Sequence, residues 1–507
     1  MASSGLLRAK SIERSIADTD EPGTRLRKDL NAWDLTVFGV AVVIGAGIFT
    51  VTASTAGNVA GPAVVIAFLI SAVACGFAAL CYAEFASTVP VAGSAYTYSY
   101  ATFGEFVAWI IGWDLILEFA LAAAVVAKGW SAYFAQVFSL VGLNVPTTVS
   151  LGAVDFDWGT VLIVLILGTL LALGTKLSSR FSQVITAIKV AVVLLVIVVG
   201  IGYIKTANYT PFIPPSVPNG ANTSSLDQSV FSLLVGGQSS IFGVFGMLAA
   251  ASILFFAFIG FDVVATTAEE TRNPQRDVPR GILGSLAIVT VLYIAVSFVV
   301  TGMESYTKLA TGADGTKKTL ATAFADNGVH WAAAVIAIGA LAGLTTVVMV
   351  LLLGQTRILF AMSRDGLMPP VLAKTGARGT PVRATLTVVV AVAIAGGFFP
   401  SNKLEEVVNV GTLSAFVLVS AGVLVLRKTR PDLPRGFRAP LVPLVPILAI
   451  VSCLWLMINL TALTWVRFAV WMAIGIVFYF AYGARKSVLR ASQSGGAGQG
   501  TEVAVDS

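Results

Sequence analysis

Charge is scarce in this chain. Only 11% of its 507 residues are Asp, Glu, Lys or Arg, against roughly 25% in an ordinary soluble protein. One histidine, His330, is present, so this chain alone cannot build a histidine-based catalytic arrangement. Neither H-E-x-x-H nor G-x-S-x-G occurs, which removes the usual signatures of a membrane-embedded protease or hydrolase. Three cysteines, Cys75, Cys81 and Cys453, all stand in apolar surroundings. They read as small packing residues rather than a disulfide or metal set. The N-terminal segment has no apolar core, so it is not a cleaved signal peptide. No metal, cofactor or nucleic-acid partner is expected.

What is present is apolar: 57% of the residues are hydrophobic. They gather into runs of about 18 or more, the length a helix needs to cross a bilayer. Twelve spans are read, at about 35–58, 62–88, 105–136, 158–175, 181–205, 243–268, 281–304, 331–362, 382–400, 404–427, 442–462 and 464–484. The expected fold is an all-α integral membrane protein. With a cytoplasmic N-terminus, the inner segments carry 24 Lys and Arg, the outer loops 6, and the spans two, Lys128 and Lys189. That excess on one side is the positive-inside pattern. It places both termini in the cytoplasm and accounts for the net charge of +6 without any polyanionic partner. The chain then divides into a polar segment 1–33, five spans in 34–206, an outer loop 207–242, five spans in 243–428, two further spans in 429–485, and a Gly- and Ser-rich tail 486–507 expected to be disordered. Richness in Ala, Gly and Val points to a bacterial source.

Inside span one stands V-V-I-G-A-G-I-F-T, beginning at Val42. Two glycines there cost about 1 kcal/mol each against alanine in a helix interior. A dinucleotide fingerprint fails, because Thr50 stands where the third glycine is needed and no strand–helix alternation follows. Close helix packing through Gly45 and Gly47 is one explanation. Span six offers another, since F-F-A-F-I-G-F-D from Phe255 again interrupts an apolar run with a glycine, Gly260. If the first ten spans form two halves of five, spans one and six correspond and run in opposite directions. Interrupted segments at matching positions of inverted halves point to a transporter's binding site. At about 1.5 Å per residue, both interruptions fall roughly 12–18 Å from the inner boundary, near the middle of a ~30 Å core.

An unwound helix leaves N–H and C=O groups without partners, a cost of several kcal/mol each in lipid. The N–H groups of Gly45, Ala46, Gly47 and Ile48, which open the outer half of span one, would attract a carboxylate. The carbonyls near Ile44, Ala257, Phe258 and Gly260 would attract an ammonium. Those two sites together describe an α-amino acid. Phe255, Phe256, Phe258 and Phe261 are candidates for a gate, or simply for packing.

Ionisable residues inside spans are functional candidates by default. Glu84 and Lys128 lie near span ends, where snorkelling or a structural pair suffices. Asp114 and Glu118 are four apart and share one face of span three. Glu118 is favoured as the functional member, with an internal pair to Lys or Arg as the alternative. Asp262 follows Gly260 by two residues. Lys189 is the sharpest, alone between Arg180 and Lys205 and roughly 12 Å deep. It is either a proton relay or a fixed cation beside the carbonyls of the span-one break.

These stretches, with C-Y-A-E-F-A-S-T-V-P-V-A-G-S-A-Y from Cys81, G-W-D-L-I-L-E from Gly112, A-I-K-V from Ala187, E-E-T-R-N-P-Q-R-D-V-P from Glu269 and G-Q-T-R-I-L-F-A-M-S-R-D-G-L-M-P from Gly354, resemble the amino acid–polyamine–organocation transporters. Within them the chain is similar to the cationic amino acid transporter subfamily, including its bacterial members. The resemblance covers about residues 30–485. It implies a five-plus-five inverted repeat, like that of leucine transporters, with discontinuous helices 1 and 6 and two further helices. It implies uptake of L-amino acids by alternating access across a bacterial cell membrane. It also implies binding through Gly45-Ala46-Gly47 and Phe258 to Asp262, a subfamily glutamate at Glu118, and proton coupling through Lys189. The Pro- and Ser-rich outer loop at 208–240 departs from compact bacterial relatives. The expected substrates are cationic or small neutral amino acids, with protons as co-substrate. An exchanger without proton coupling and a transporter-like amino acid sensor are the rival readings.

Overall fold

The computed structural model describes residues 28–89, 94–140, 142–152, 154–174, 179–218, 224–236, 240–311, 318–376, 380–488 and 490. The expected polar segment through residue 27 and the tail from residue 491 lie outside them, as do residues 90–93 of the stretch from Cys81. The described chain is a bundle of long helices: α1 Ala32–Val43, α2 Val64–Thr88, α3 Ser94–Thr102, α4 Glu105–Leu140, α5 Trp158–Ala172, α6 Ser179–Ile201, α7 Gly243–Leu254, α8 Pro274–Met303, α9 His330–Arg364, α10 Val382–Phe398, α11 Ser401–Thr429, α12 Leu444–Ile458 and α13 Ala462–Phe478.

Among the described residues, 8 helical stretches are long and apolar enough to cross a membrane. One of them, Ala32–Thr88, has 57 residues, about 85 Å if straight and far beyond a ~30 Å core. It turns at Gly61, whose φ of +64° is open to glycine and costly for other residues, followed by Pro62 at a helix start. Three shorter apolar helices, α5, α10 and α12, accompany the 8. Large apolar side chains such as Val198 on α6, Val291 on α8, Val390 on α10 and Val477 on α13 face outward, as a lipid solvent allows.

The inner helices carry the site. α4 packs against α9 and α11, and α8 against α1 and α2. Small residues permit the approach: a Cβ on Gly39 would stand 2.6 Å from Ser285 Cβ, and one on Gly281 would stand 2.5 Å from Leu35 Cβ. α1 begins at an Asn31 cap whose side chain accepts from the Trp33 and Asp34 N–H groups, while Asp34 accepts from the Asn31 N–H. The chain before α1 is tied to the chain after span six. Asp29 and Leu30 N–H groups both donate to the Glu270 carbonyl, and Arg272 N–H donates to Leu30.

The two charges near span ends are structural. Buried Glu84 accepts two bonds from Arg427, at 2.8 and 2.7 Å, and one from Ala439 N–H, with Arg435 3.4 Å away. Lys128 lies 3.4 Å from Asp157. Asp157 ends the antiparallel hairpin β1 Thr148–Leu151 and β2 Val154–Asp157, and caps α5 by accepting from Thr160 N–H.

Candidate functional site

Both expected interruptions are present. α1 ends at Val43, and Ile44 adopts an extended backbone with φ −70° and ψ 90°. Helical geometry resumes at Ala46–Gly47 as wide π-type turns and runs to Ala60. In span six, α7 passes through a tight turn, Phe255–Phe258, to an extended Ile259. Gly260 has φ +119°, and 3₁₀ turns then continue from Asp262 to Glu270. The expected residues Ile44, Gly45, Ala46, Gly47, Ile48, Ala257, Phe258 and Gly260 therefore lie at the breaks or beside them.

The two glycines of span one have different reasons. A Cβ on Gly47 would stand 2.4 Å from Ala257 Cβ, so glycine there lets the breaks of spans one and six touch. A Cβ on Gly45 would meet nothing closer than Val347, at 3.6 Å. Packing does not explain Gly45, which leaves the backbone there open to close approach. A Cβ on Gly260 would meet Val42 at 2.8 Å, so Gly260 is required by conformation and by contact.

The carbonyls freed near the break of span one are taken by side chains from other helices. Lys189 Nζ, on α6, donates to Ala41 at 2.7 Å. Tyr293 Oη, on α8, donates to Val43, and Tyr133 Oη, on α4, donates to Phe49, each at 2.7 Å. Lys189 is 1% exposed. It places an ammonium at the C-terminal, negative end of α1. Gly343 on α9 makes room for it, since a Cβ there would stand 2.9 Å from Lys189 Cγ. The N–H groups at Gly45, Ala46, Gly47 and Ile48, where helical geometry resumes, are the positive end of the second segment.

A cavity of about 20 Å³ lies between the breaks, room for a water or two but not for an amino acid. Its walls outside span one are Ala122, Val126, Phe256, Ile259, Val347 and Leu351. Every one of these side chains is apolar. Glu118 and Asp262 are buried but do not line it. Nearby, Thr412 Oγ1 donates to Val408 and Val263 N–H donates to Gly260. Asp114 Oδ1, Glu118 Oε2 and Asp262 Oδ1 are buried without a hydrogen-bond partner. Among the described residues no ion pair reaches these three carboxyls, so the alternative of an internal pair with Lys or Arg is not what the structure contains. Phe258, the gate candidate at the break, packs on Phe68 and Tyr293.

The sequence reading missed Tyr293 and Tyr133, which look like ordinary aromatic core until their hydroxyls are placed. It also missed the apolar walls on α4 and α9. Their available signal is spacing: Ala122 and Val126, and Val347 and Leu351, are each four apart on one helix face.

The comparisons with known proteins agree with this geometry. The family model described as amino acid permease matches residues 30–481. A branched-chain amino acid permease of Bacillus subtilis is 44% identical over 96% of this chain and 99% of its own length. A methylthioribose transporter of the same organism is 41% identical over 96% of this chain and 99% of its own length. The vacuolar cationic amino acid transporter 4 of Arabidopsis thaliana is 36% identical over 84% of this chain and 68% of its own length. These relatives are transporters, not enzymes. With its helical membrane fold and paired broken helices, the chain belongs to the amino acid permease family of the amino acid–polyamine–organocation transporters.

Proposed function

We propose that this amino acid permease is a proton-coupled symporter of small neutral, apolar L-amino acids. It works by alternating access in a bacterial plasma membrane, with both termini cytoplasmic. Twelve spans cross the membrane, the first ten as two inverted halves of five. The substrate carboxylate binds the N–H groups of Gly45, Ala46, Gly47 and Ile48. Its ammonium binds carbonyls near Ile44, Ala257, Phe258 and Gly260. Its side chain lies against Ala122, Val126 and Val347, whose apolar character favours a neutral side chain over a cationic one. The branched-chain permease among the relatives supports the same substrate class. Glu118 and Asp262, assigned to substrate binding from the sequence, stand behind this site and act on it through the inner half of span six.

The observation that carries the coupling is the Lys189 bond to the Ala41 carbonyl. An ammonium holds the negative end of α1; loss of its proton frees that end to move. The Asp29 and Leu30 bonds to Glu270 make the inner halves of spans one and six move together. The membrane potential supplies about 2.3 kcal/mol per charge per 100 mV.

The test uses the purified protein in liposomes. Uptake of labelled leucine, alanine and arginine is followed with and without an inward proton gradient, for wild type and Lys189→Ala. The expected result is gradient-driven leucine and alanine uptake that disappears in the variant while substrate binding persists. Uptake indifferent to the gradient but dependent on internal amino acid would establish an exchanger instead.

A further inference from the structure

We propose that the outer face carries a second binding site, separate from the transport path, for a small organic amine with an apolar body. The site is a cavity of about 210 Å³ between the loop preceding span six, α7, α11 and the connection from α12 to α13. Residues of the outer loop, among them Asp227, Ser229, Phe231 and Ile241, form one of its walls. Val230 N–H donates to the Leu460 carbonyl, and Ala462 N–H donates to Gln228, so the loop is docked on the α12–α13 connection. Phe242 N–H donates to Val59, which docks the other end of the loop on the outer end of span one.

The chemistry of the walls selects the ligand. Phe231, Phe245, Ile253 and Leu460 form an apolar body, and Asp227 and Glu406 stand among them. Asp227 is balanced by Lys403, 3.4 Å away. Glu406 Oε2 accepts from the hydroxyls of Thr461 and Thr464, and among the described residues no Lys or Arg pairs with it. The lining thus carries one uncompensated negative charge beside apolar surface and no free cation. An ammonium with an apolar body satisfies both. A free amino acid does not, because its carboxylate would meet Glu406 while the neighbouring cation, Lys403, is already paired with Asp227.

The volume narrows the class further. An apolar cavity of about 150 Å³ takes one benzene, so this one takes a ring or branched chain with a short ammonium arm. The two acyl chains of a lipid do not fit. A bound amine would touch Phe245 and Ile253 on the outer half of span six and Leu460 on the neighbouring connection at once. It would favour the arrangement in which these are close, and so slow the outward opening of span six.

The test measures binding and so does not depend on proton coupling. Labelled phenethylamine is titrated onto the purified full chain in nanodiscs, with phenylpropionate and phenylethanol as anionic and neutral competitors. The expected result is saturable binding that neither competitor nor excess leucine displaces. Glu406→Gln should weaken it at least tenfold, and Phe245→Trp, which fills the cavity, should abolish it. Phe245 is half-exposed, so that variant decides the matter if Glu406→Gln misfolds. The proposal is overturned by absence of saturable binding, by equal binding to both variants, or by displacement with leucine, which would place the amine in the transport site.

Discussion

Adding one methyl group at each glycine of the span-one break separates packing from ligand approach. In Gly47→Ala the new Cβ would stand 2.4 Å from Ala257 Cβ and 2.3 Å from Ala257 Cα. Carbon atoms in contact prefer about 3.5–4.0 Å, so the breaks of spans one and six must separate by more than an ångström. Overpacking of this kind costs about 1–3 kcal/mol, and the atoms met are backbone and Cβ, which cannot rotate away. Gly45→Ala meets only Val347, at 3.6 Å, an ordinary contact, so its stability should stay within about 0.5 kcal/mol of wild type. Under the proposed binding mode, a methyl at residue 45 nevertheless stands where the substrate carboxylate would reach the N–H groups. The assay pairs thermal inactivation in detergent with leucine uptake in liposomes. Gly47→Ala should lose both stability and uptake, and Ala257→Gly should restore part of each. Gly45→Ala should keep its stability and raise KM for uptake tenfold or more. A Gly45→Ala protein with normal uptake would refute the assignment of this backbone to substrate binding. A stable Gly47→Ala protein would refute the packing argument.

Gly343→Ala should push on Lys189 Cγ, 2.9 Å from the new Cβ; it is expected to abolish gradient-driven uptake while leaving leucine binding measurable by thermal shift. Tyr293→Phe should leave the Val43 carbonyl unpaired at the break, a cost of about 1–3 kcal/mol, read as a raised KM with normal protein yield. Glu84→Gln should destabilise the protein by about 3–5 kcal/mol, because Arg435, with its side chain 5% exposed, loses its one ion-pair partner among the described residues; thermal inactivation will show it, and a wild-type midpoint would remove the ion cluster from the stability account.

The breaks were legible because they obey a local rule. Glycines interrupt an apolar run only where something outside the helix compensates, and Gly45, Gly47 and Gly260 were visible as such in the sequence. Lys189 was legible for the same reason: an isolated ammonium at mid-depth needs a partner, and the freed carbonyls of α1 are the nearest acceptors the topology offers. The division of labour between the two glycines was not legible. It depends on Ala257, 210 residues further along the chain, approaching Gly47 while Val347 stays back from Gly45. The hydroxyls of Tyr293 and Tyr133 were hidden because an intramembrane tyrosine announces burial, not the direction of its O–H. Their placement changes how the break works. With Ala41, Val43 and Phe49 already satisfied by Lys189, Tyr293 and Tyr133, the broken helix carries fewer orphan carbonyls than an unwound segment alone would. Lys189 is the only charged member of that set, so under the proposed coupling it is the one contact whose strength a proton would change.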